Sequence, residues 1–304
     1  MGDLKEIIKE LKALSGVKVS TNEPLNRHTS FRIGGPAKAL VIPYSTAALQ
    51  SIMDVTRGIK KYVIGNGSNV LLPDRGLKGL VIKMSGGIKG LEIEGRTATV
   101  GASHLIQPLI RHLAKAGLSG LEFGAWVPAA LGGALFMNMG AFGRDMSDLV
   151  EYVDVIGPSG KIERLGKQDI KFAYRKSGIR DRIIIGAKLR FTHKKPSVIE
   201  KNIQDVIAKR KLNQPIAVPC AGSVFKNPKD VPAGKLIDMA GCKGMRIGGA
   251  EISKKHANFI INLGDATASD VRALIQKTKR IVHDKFRVKL ELELVDIKRL
   301  NVIF

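Results

Sequence analysis

The segment Ala221-Gly-Ser-Val-Phe-Lys-Asn-Pro228 sets the hydroxyl of Ser223 directly after a glycine, in a stretch without regular periodicity. Such a hydroxyl can donate a proton, attack as a nucleophile, or brace a turn. No glycine stands two positions to either side of Ser223, so the nucleophile-elbow pattern is absent. Tyr174-Arg175-Lys176-Ser177 puts a guanidinium fork, suited to carboxylate or phosphate, beside a phenol; a solvated basic turn is the plainer reading. Glu291 and Glu293 share one face of an alternating stretch, about 7 Å apart if it is a strand. One of them, buried in a cleft, could act as an acid or an electrostatic clamp. On a solvated edge beside Lys289 both are surface charges.

Two glycine-rich segments could approach a ligand with bare backbone. Gly65-Asn66-Gly67-Ser68-Asn69 follows the apolar run Tyr62-Val-Ile64. Its glycines permit positive φ and let N–H groups converge on an anion, but a tight turn with an Asx cap needs the same residues. Val70 stands where a dinucleotide fingerprint requires glycine, and Val-Leu-Leu-Pro73 follows in place of a helix, so that fingerprint is excluded. Between Gly132 and Gly143, small residues recur every few positions, which suits either a flat ligand or a helix packed on a sheet. The six histidines show no metal-ligand spacing, His256 reads as a hydrogen-bonded structural residue, and no Walker-A loop is present.

Helix and strand alternate around these segments. The pattern predicts an amphipathic helix over 3–16, capped by Asp3 and stopped by Gly16, then strands at 38–42, 61–64 and 79–83 with a helix at 45–58. Alternation over 91–100, a helical stripe over 104–117, and strands at 151–156, 161–165 and 183–191 come next. A basic helix is expected near 197–211, followed by an irregular Pro- and Gly-bearing stretch to 235. Thr267-x-x-Asp270 reads as a capping box before a long helix, and Val288, Leu290, Leu292 and Leu294 as the inward face of a last strand. Ala125–Gly143 carries no charge, but Pro128, Asn138 and its glycines make it a buried turn and helix rather than a membrane span.

The chain has 304 residues, enough for two domains or three small ones, with 44% hydrophobic and 25% charged residues as in ordinary globular proteins. Two cysteines, Cys220 and Cys242, exclude a disulfide framework. The formal charge of +23 favours an anionic partner. With only 5% aromatics, and basic residues spread along the chain, a small anionic ligand is preferred to nucleic acid.

Taken in order, these segments resemble the UDP-N-acetylenolpyruvoylglucosamine reductases, the MurB family. The matching pieces are Asn26–Gly35, Gly65–Asn69, Gly117–Phe123, Gly132–Gly143, Tyr174–Ser177, Ala221–Pro228, Gly248–Phe259 and the closing Leu290-Glu-Leu-Glu-Leu294. The resemblance runs from about residue 20 to 297 and lacks an extra substrate loop, as in the shorter type of the family. It implies an α+β fold: a two-domain FAD-binding unit of the vanillyl-alcohol-oxidase (PCMH-like) type, plus a third α/β substrate-binding domain. The implied divisions are 1–85, 86–195 and 196–304, with the last strand returning toward the FAD unit.

The resemblance also implies chemistry. NADPH reduces FAD, and the flavin then reduces the enolpyruvyl ether of UDP-N-acetylglucosamine to UDP-N-acetylmuramate for peptidoglycan. Ser223 would be the proton donor, with Arg175 and a neutral Glu293 bracketing the substrate carboxylate. Gly65, Asn66, Gly67, Ser68, Asn69, Ala102, Ser103, Pro128, Gly132, Gly133 and Asn138 would hold the FAD; Tyr174, Lys226, Asn227 and Asn258 would contact the UDP-sugar. No metal, obligate protein partner or membrane span is expected, and the location would be cytoplasmic. One departure stands out: the family's Gly-Ile-Pro-Gly turn reads Trp126-Val-Pro-Ala129 here, followed by Ala130. Ala129 is expected to bring a Cβ where backbone approaches phosphate or needs positive φ, and Trp126 to bring a ring where the pattern has none. The alternatives are another flavoprotein on the same scaffold, a flavin-free relic that keeps UDP-sugar binding, and a basic nucleic-acid-binding protein.

Overall fold

The computed structural model describes residues 4–297, so the Asp3 cap lies outside the described residues. Seven α-helices lie among them: α1 Leu4–Ala13, α2 Thr46–Val55, α3 Ile106–Lys115, α4 Leu131–Phe136, α5 Pro196–Asn213, α6 Ala233–Met239 and α7 Ala268–Phe286. They pack on three sheets, which is the expected α+β arrangement.

The first sheet runs Val17–Pro24, Pro36–Pro43, Leu77–Lys83, Lys61–Ile64; its first pair is antiparallel and the other two are parallel. α1 and α2 cover one face through Leu11, Leu49 and Ile52, all fully buried. The second sheet is antiparallel, in the order Ile162–Gly166, Val150–Ile156, Ile183–Arg190, Thr97–Gly101, Leu91–Glu94. α3, α4 and α5 close over it, burying Leu109, Leu113, Leu131 and Ile199. Each such side chain taken from water contributes about 1.5–3 kcal/mol. The third sheet, Cys220–Ser223, Phe259–Asn262, Ala250–Ile252, Arg246–Ile247, is antiparallel and packs against α6 and α7.

The third sheet is fastened to the N-terminal part of the chain by specific bonds. Phe31, Ile33 and Leu71 of the N-terminal part sit in the same apolar cluster as Ile237, Val271 and Leu274. Asn262 Nδ2 donates to Phe31 O at 3.0 Å, and Ser30 Oγ to Cys220 O at 2.7 Å. Asp74 reaches the N-terminus of α7, accepting from Ala268 N at 2.6 Å and Ser269 N at 3.1 Å. Thr267 and Asp270 form the capping box at that same end.

Three expectations change. The alternating Val17–Pro24 stretch is an edge strand that the pattern reading passed over. The irregular stretch to 235 contains the four-residue strand Cys220–Ser223, and the other strands of that sheet, beyond 235, have two to four residues, too short to leave a period. The expected strand over 288–294 is extended chain with a single bridge, Phe225 to Leu292; regular pairing begins only at Val295–Asp296, which runs parallel to Val70–Leu71. Burial still alternates there, because the apolar side chains face the third core.

Asp74→Ala removes a cap that crosses between lobes. It should lower the unfolding free energy by about 1 kcal/mol, read as a lower urea midpoint at unchanged slope. An unchanged midpoint would show that the cap transmits nothing.

Candidate active site

A cleft of about 910 Å³ opens where the three sheets meet. Its walls are residues 65–69, 126–130, 175–184 and 214–218, the Cys220–Ser223 strand, and Glu293. Five basic side chains line it, Arg175, Lys176, Arg180, Arg182 and Arg210, against the two acids Asp181 and Glu293. The lining is therefore built for an anionic occupant.

Arg175 and Glu293 meet in this cleft. Arg175 Nε lies 2.6 Å from Glu293 Oε1, with the side chains 19% and 16% exposed. Arg175 holds a left-handed backbone, φ 58°, between the paired residues Ala173 and Lys176, which aims its side chain out of a tight turn. Glu293 is pinned by its main chain: its N–H donates to Val224 O at 2.9 Å, and its carbonyl accepts from Asn69 Nδ2 at 3.2 Å. Burial pushes the Glu293 carboxyl up from its ordinary value; the Arg175 guanidinium, and Lys226 more weakly, pull it back without cancelling the rise. Glu291 points away, 77% exposed, with Lys226 Nζ at 3.5 Å. The two glutamates thus have opposite environments although they are two residues apart.

Ser223 is aimed by a bulge. Cys220 pairs with Ile261 but Ser223 with Phe259, so three steps oppose two, and Gly222 absorbs the extra residue at φ +73°. Asn258 then fixes Phe225, two residues on, from both sides: its Oδ1 accepts from Phe225 N at 2.9 Å and its Nδ2 donates to Phe225 O at 2.8 Å. Ser223 lines the cleft beside the peptide that holds Glu293.

Gly65–Asn69 forms the facing wall. A Cβ on Gly67 would lie 2.0 Å from the His28 carbonyl, and φ there is +67°, so only glycine fits. Asn66 Nδ2 donates to Pro128 O at 2.7 Å, tying this loop to the 126–130 turn, while Ser85 Oγ donates to Asn66 Oδ1 at 3.0 Å. A Cβ on Gly133 would meet nothing within 4 Å, and one on Gly65 would sit 3.7 Å from Gly133 Cα, so glycine backbone borders the cleft on both sides. This cradle, the excess of lining cations and the cleft volume suit the diphosphate and flat rings of FAD.

The remaining site expectations fall behind or outside the lining. Ala102 and Ser103 are buried, and Ser103 Oγ donates to Met84 O; they tie the first two sheets together behind the cradle. Asn138 is consumed by Ala173 O at 3.1 Å and Ser147 N at 3.0 Å, and Asn258 by Phe225. Amides engaged on both the oxygen and the nitrogen in this way support the wall from behind. Tyr174, Lys226 and Asn227 stand outside the lining: Asn227 N donates to Tyr174 Oη at 3.3 Å and Asn227 Oδ1 accepts from Ala233 N at 3.1 Å.

Arg210 was not singled out from the sequence, because it ends a basic helix that pattern alone cannot orient. Its guanidinium is drawn into the cleft, donating to Phe123 O at 3.0 Å, while its buried Nε has no partner among the described residues. Burial, then the neighbouring Arg175, pushes its pKa down. At the altered turn the left-handed conformation falls on Trp126, φ 71°, not on Ala129, whose carbonyl accepts from Ile106 N at 2.9 Å. Such a backbone costs a non-glycine residue about 1–2 kcal/mol. The indole is 41% exposed and borders the cleft without closing it.

Among the described residues, no cluster of three or more His, Cys, Asp or Glu could hold a metal, and no helix is long and apolar enough to cross a membrane.

Comparison with known proteins agrees with this geometry. Residues 37–166 match the model of the FAD binding domain, and residues 214–297 match that of the UDP-N-acetylenolpyruvoylglucosamine reductase C-terminal domain. The UDP-N-acetylenolpyruvoylglucosamine reductase of Bacillus subtilis is 43% identical over 298 residues, covering 95% of this chain and 97% of the relative. The crystal structure of the same reductase from Thermus caldophilus superposes with a TM-score of 0.80 at 35% identity, covering 91% of this chain and 97% of that one. A glucooligosaccharide oxidase from Acremonium strictum shares the fold at TM-score 0.50 and 13% identity, over 91% of this chain and 58% of its own. With identity of this order along nearly the full length of both chains, and a basic cleft where the two matched regions meet, this chain belongs to the UDP-N-acetylenolpyruvoylglucosamine reductase family.

Proposed function

We propose that this chain reduces UDP-N-acetylglucosamine enolpyruvate to UDP-N-acetylmuramate at the expense of NADPH, with FAD as its cofactor, in peptidoglycan synthesis. The observation that carries the reading is the convergence of Arg175, Glu293 and Ser223 on one basic cleft of a family member. Gly65, Asn66, Gly67, Ser68, Asn69, Pro128, Gly132 and Gly133 hold the cofactor, with Ala102, Ser103 and Asn138 bracing them from behind. We divide the chain into two cofactor lobes, 1–85 and 86–195, and a substrate lobe, 196–304, whose end returns to the first lobe through Val295–Asp296.

When bound, FAD supplies the hydride relay between NADPH and the enolpyruvyl double bond. Hydride addition leaves negative charge on the carbon that bears the carboxylate. Arg175 meets the carboxylate with a fixed positive fork. Glu293, in the protonated form that burial favours, donates a hydrogen bond to the same group as it takes on enol character. Ser223 Oγ delivers the proton to the carbon and recovers one from solvent. Arg210, whose side chain lines the cleft, faces an anionic part of the ligand. Tyr174, Lys226 and Asn227, at the rim, receive the UDP-sugar, and Asn258 holds the Ser223 strand in register. The UDP-sugar and NADPH are cytosolic metabolites, so the reaction is assigned to the cytoplasm, with no obligate protein partner. The flavin-free alternative rests on the altered turn, which leaves the cleft open.

Purified protein mixed with FAD should show a flavin absorbance band that bleaches with NADPH and returns on adding the enolpyruvyl UDP-sugar. No flavin uptake would sink the enzymatic reading. Ser223→Ala should leave bleaching intact and lower turnover by about 10²–10⁴-fold, the usual range for a lost proton donor; wild-type turnover would remove that role. Glu293→Gln should cost far more turnover than Glu291→Gln. Because only the protonated acid donates, wild-type turnover should fall as pH rises through the elevated Glu293 value, and the residual activity of Glu293→Gln should lack that limb.

A further inference from the structure

We propose that Trp126 is a nucleobase-stacking platform at the mouth of the cleft, selecting the adenine end of a dinucleotide. The inference rests on the reductase reading above and goes beyond it, since it concerns a residue absent from the family's usual Gly-Ile-Pro-Gly turn.

Three observations carry it. First, the turn holds a large L-residue in the left-handed region, where glycine sits without penalty. A bulky ring kept in an unfavourable backbone conformation at a ligand cleft points to a use for the ring. Second, the ring is neither core nor free surface. It is 41% exposed, lines the cleft, and carries Lys211 Nζ 5.3 Å from its centroid, a cation–π contact that orients it. Lys211 adds positive charge beside the ring, fitting a base followed by phosphate. Third, the lining segment 214–218, just beyond Lys211, contains a second strained residue, Ala217, φ 64°. Both strained positions line the cleft, and Trp126 with Lys211 supplies one aromatic face and one cation, the pairing that holds nucleotides by stacking and charge.

The position favours the adenylate half over the reacting ring. Trp126 lies on the turn whose Pro128 carbonyl is bonded to Asn66, so it extends the glycine cradle. Arg175, Glu293 and Ser223 occupy other segments of the wall. FAD and NADPH both carry adenine, and the test separates them.

Trp126→Ala and Trp126→Phe both keep a side chain at the strained position, so their difference reads the ring alone. Each is titrated with FAD and with FMN, which lacks the adenylate, following flavin fluorescence, and the Michaelis constant for NADPH is measured on FAD-loaded enzyme. Trp126→Ala should weaken FAD about tenfold and leave FMN unchanged, with Trp126→Phe recovering most of the loss. An unchanged FAD affinity with a NADPH Michaelis constant raised about tenfold, again rescued by Phe, would also support the platform and assign it to NADPH. Equal losses for FAD and FMN, or no change with any of the three, would overturn it. No flavin uptake by the wild-type chain would overturn the enzymatic reading and this inference together. Uptake that is the same in Trp126→Ala, with an unaltered NADPH constant, would overturn the inference alone.

Discussion

The Arg175–Glu293 ion pair joins residues 118 positions apart, and the site depends on it. Removing either partner would leave the other's polar group in a mostly shielded site without its hydrogen bond. The pair therefore links the docking of the lobes to the chemistry. Glu293 reaches Arg175 only while Val224 and Asn69 hold its peptide, and Asn69 belongs to the glycine-rich loop of the first lobe. The desolvation that makes the pair costly also raises the Glu293 carboxyl, which favours its protonated, hydrogen-bond-donating form.

Backbone strain is gathered at the same place. Of the non-glycine residues with positive φ, Trp126, Arg175, Asp181 and Ala217 all line the cleft. Strain of about 1–3 kcal/mol per residue persists only where the surroundings over-determine the conformation. The surroundings here are three apolar cores, each closed by helices on a sheet, and a set of buried amides bonded through both oxygen and nitrogen. Asn138 and Asn258 belong to that set. They serve the site by holding the backbone beside it.

Charge is distributed to the same end. The net charge of +23 gives the whole surface an attraction for anions, and the five lining cations focus it on the cleft. Arg210 is one of them, drawn in from the end of α5 with its guanidinium donating to Phe123 O.

Much of the fold was legible in the sequence wherever a period ran long enough. Helices α2, α3, α5 and α7 and, Val17–Pro24 apart, the strands of the first two sheets fell close to their expected places, since each keeps one apolar face over several turns or pleats. The glycine-rich loop was legible too, because Gly67 meets a steric limit that any side chain would break. What the sequence by itself determined, then, was local geometry, composition and, through ordered motifs, the family. The tertiary structure alone decided which of two glutamates on one face is buried: the Ser223 strand and Asn69 pull Glu293 inward, while Glu291 stays at the edge. It also drew Arg210 into the cleft, filled Asn138 and Asn258 with other bonds, and put the left-handed residue at Trp126 and not Ala129. These outcomes depend on contacts between residues tens to hundreds of positions apart. Local periodicity carries no record of such contacts, because desolvation and hydrogen-bond completion are properties of the assembled chain.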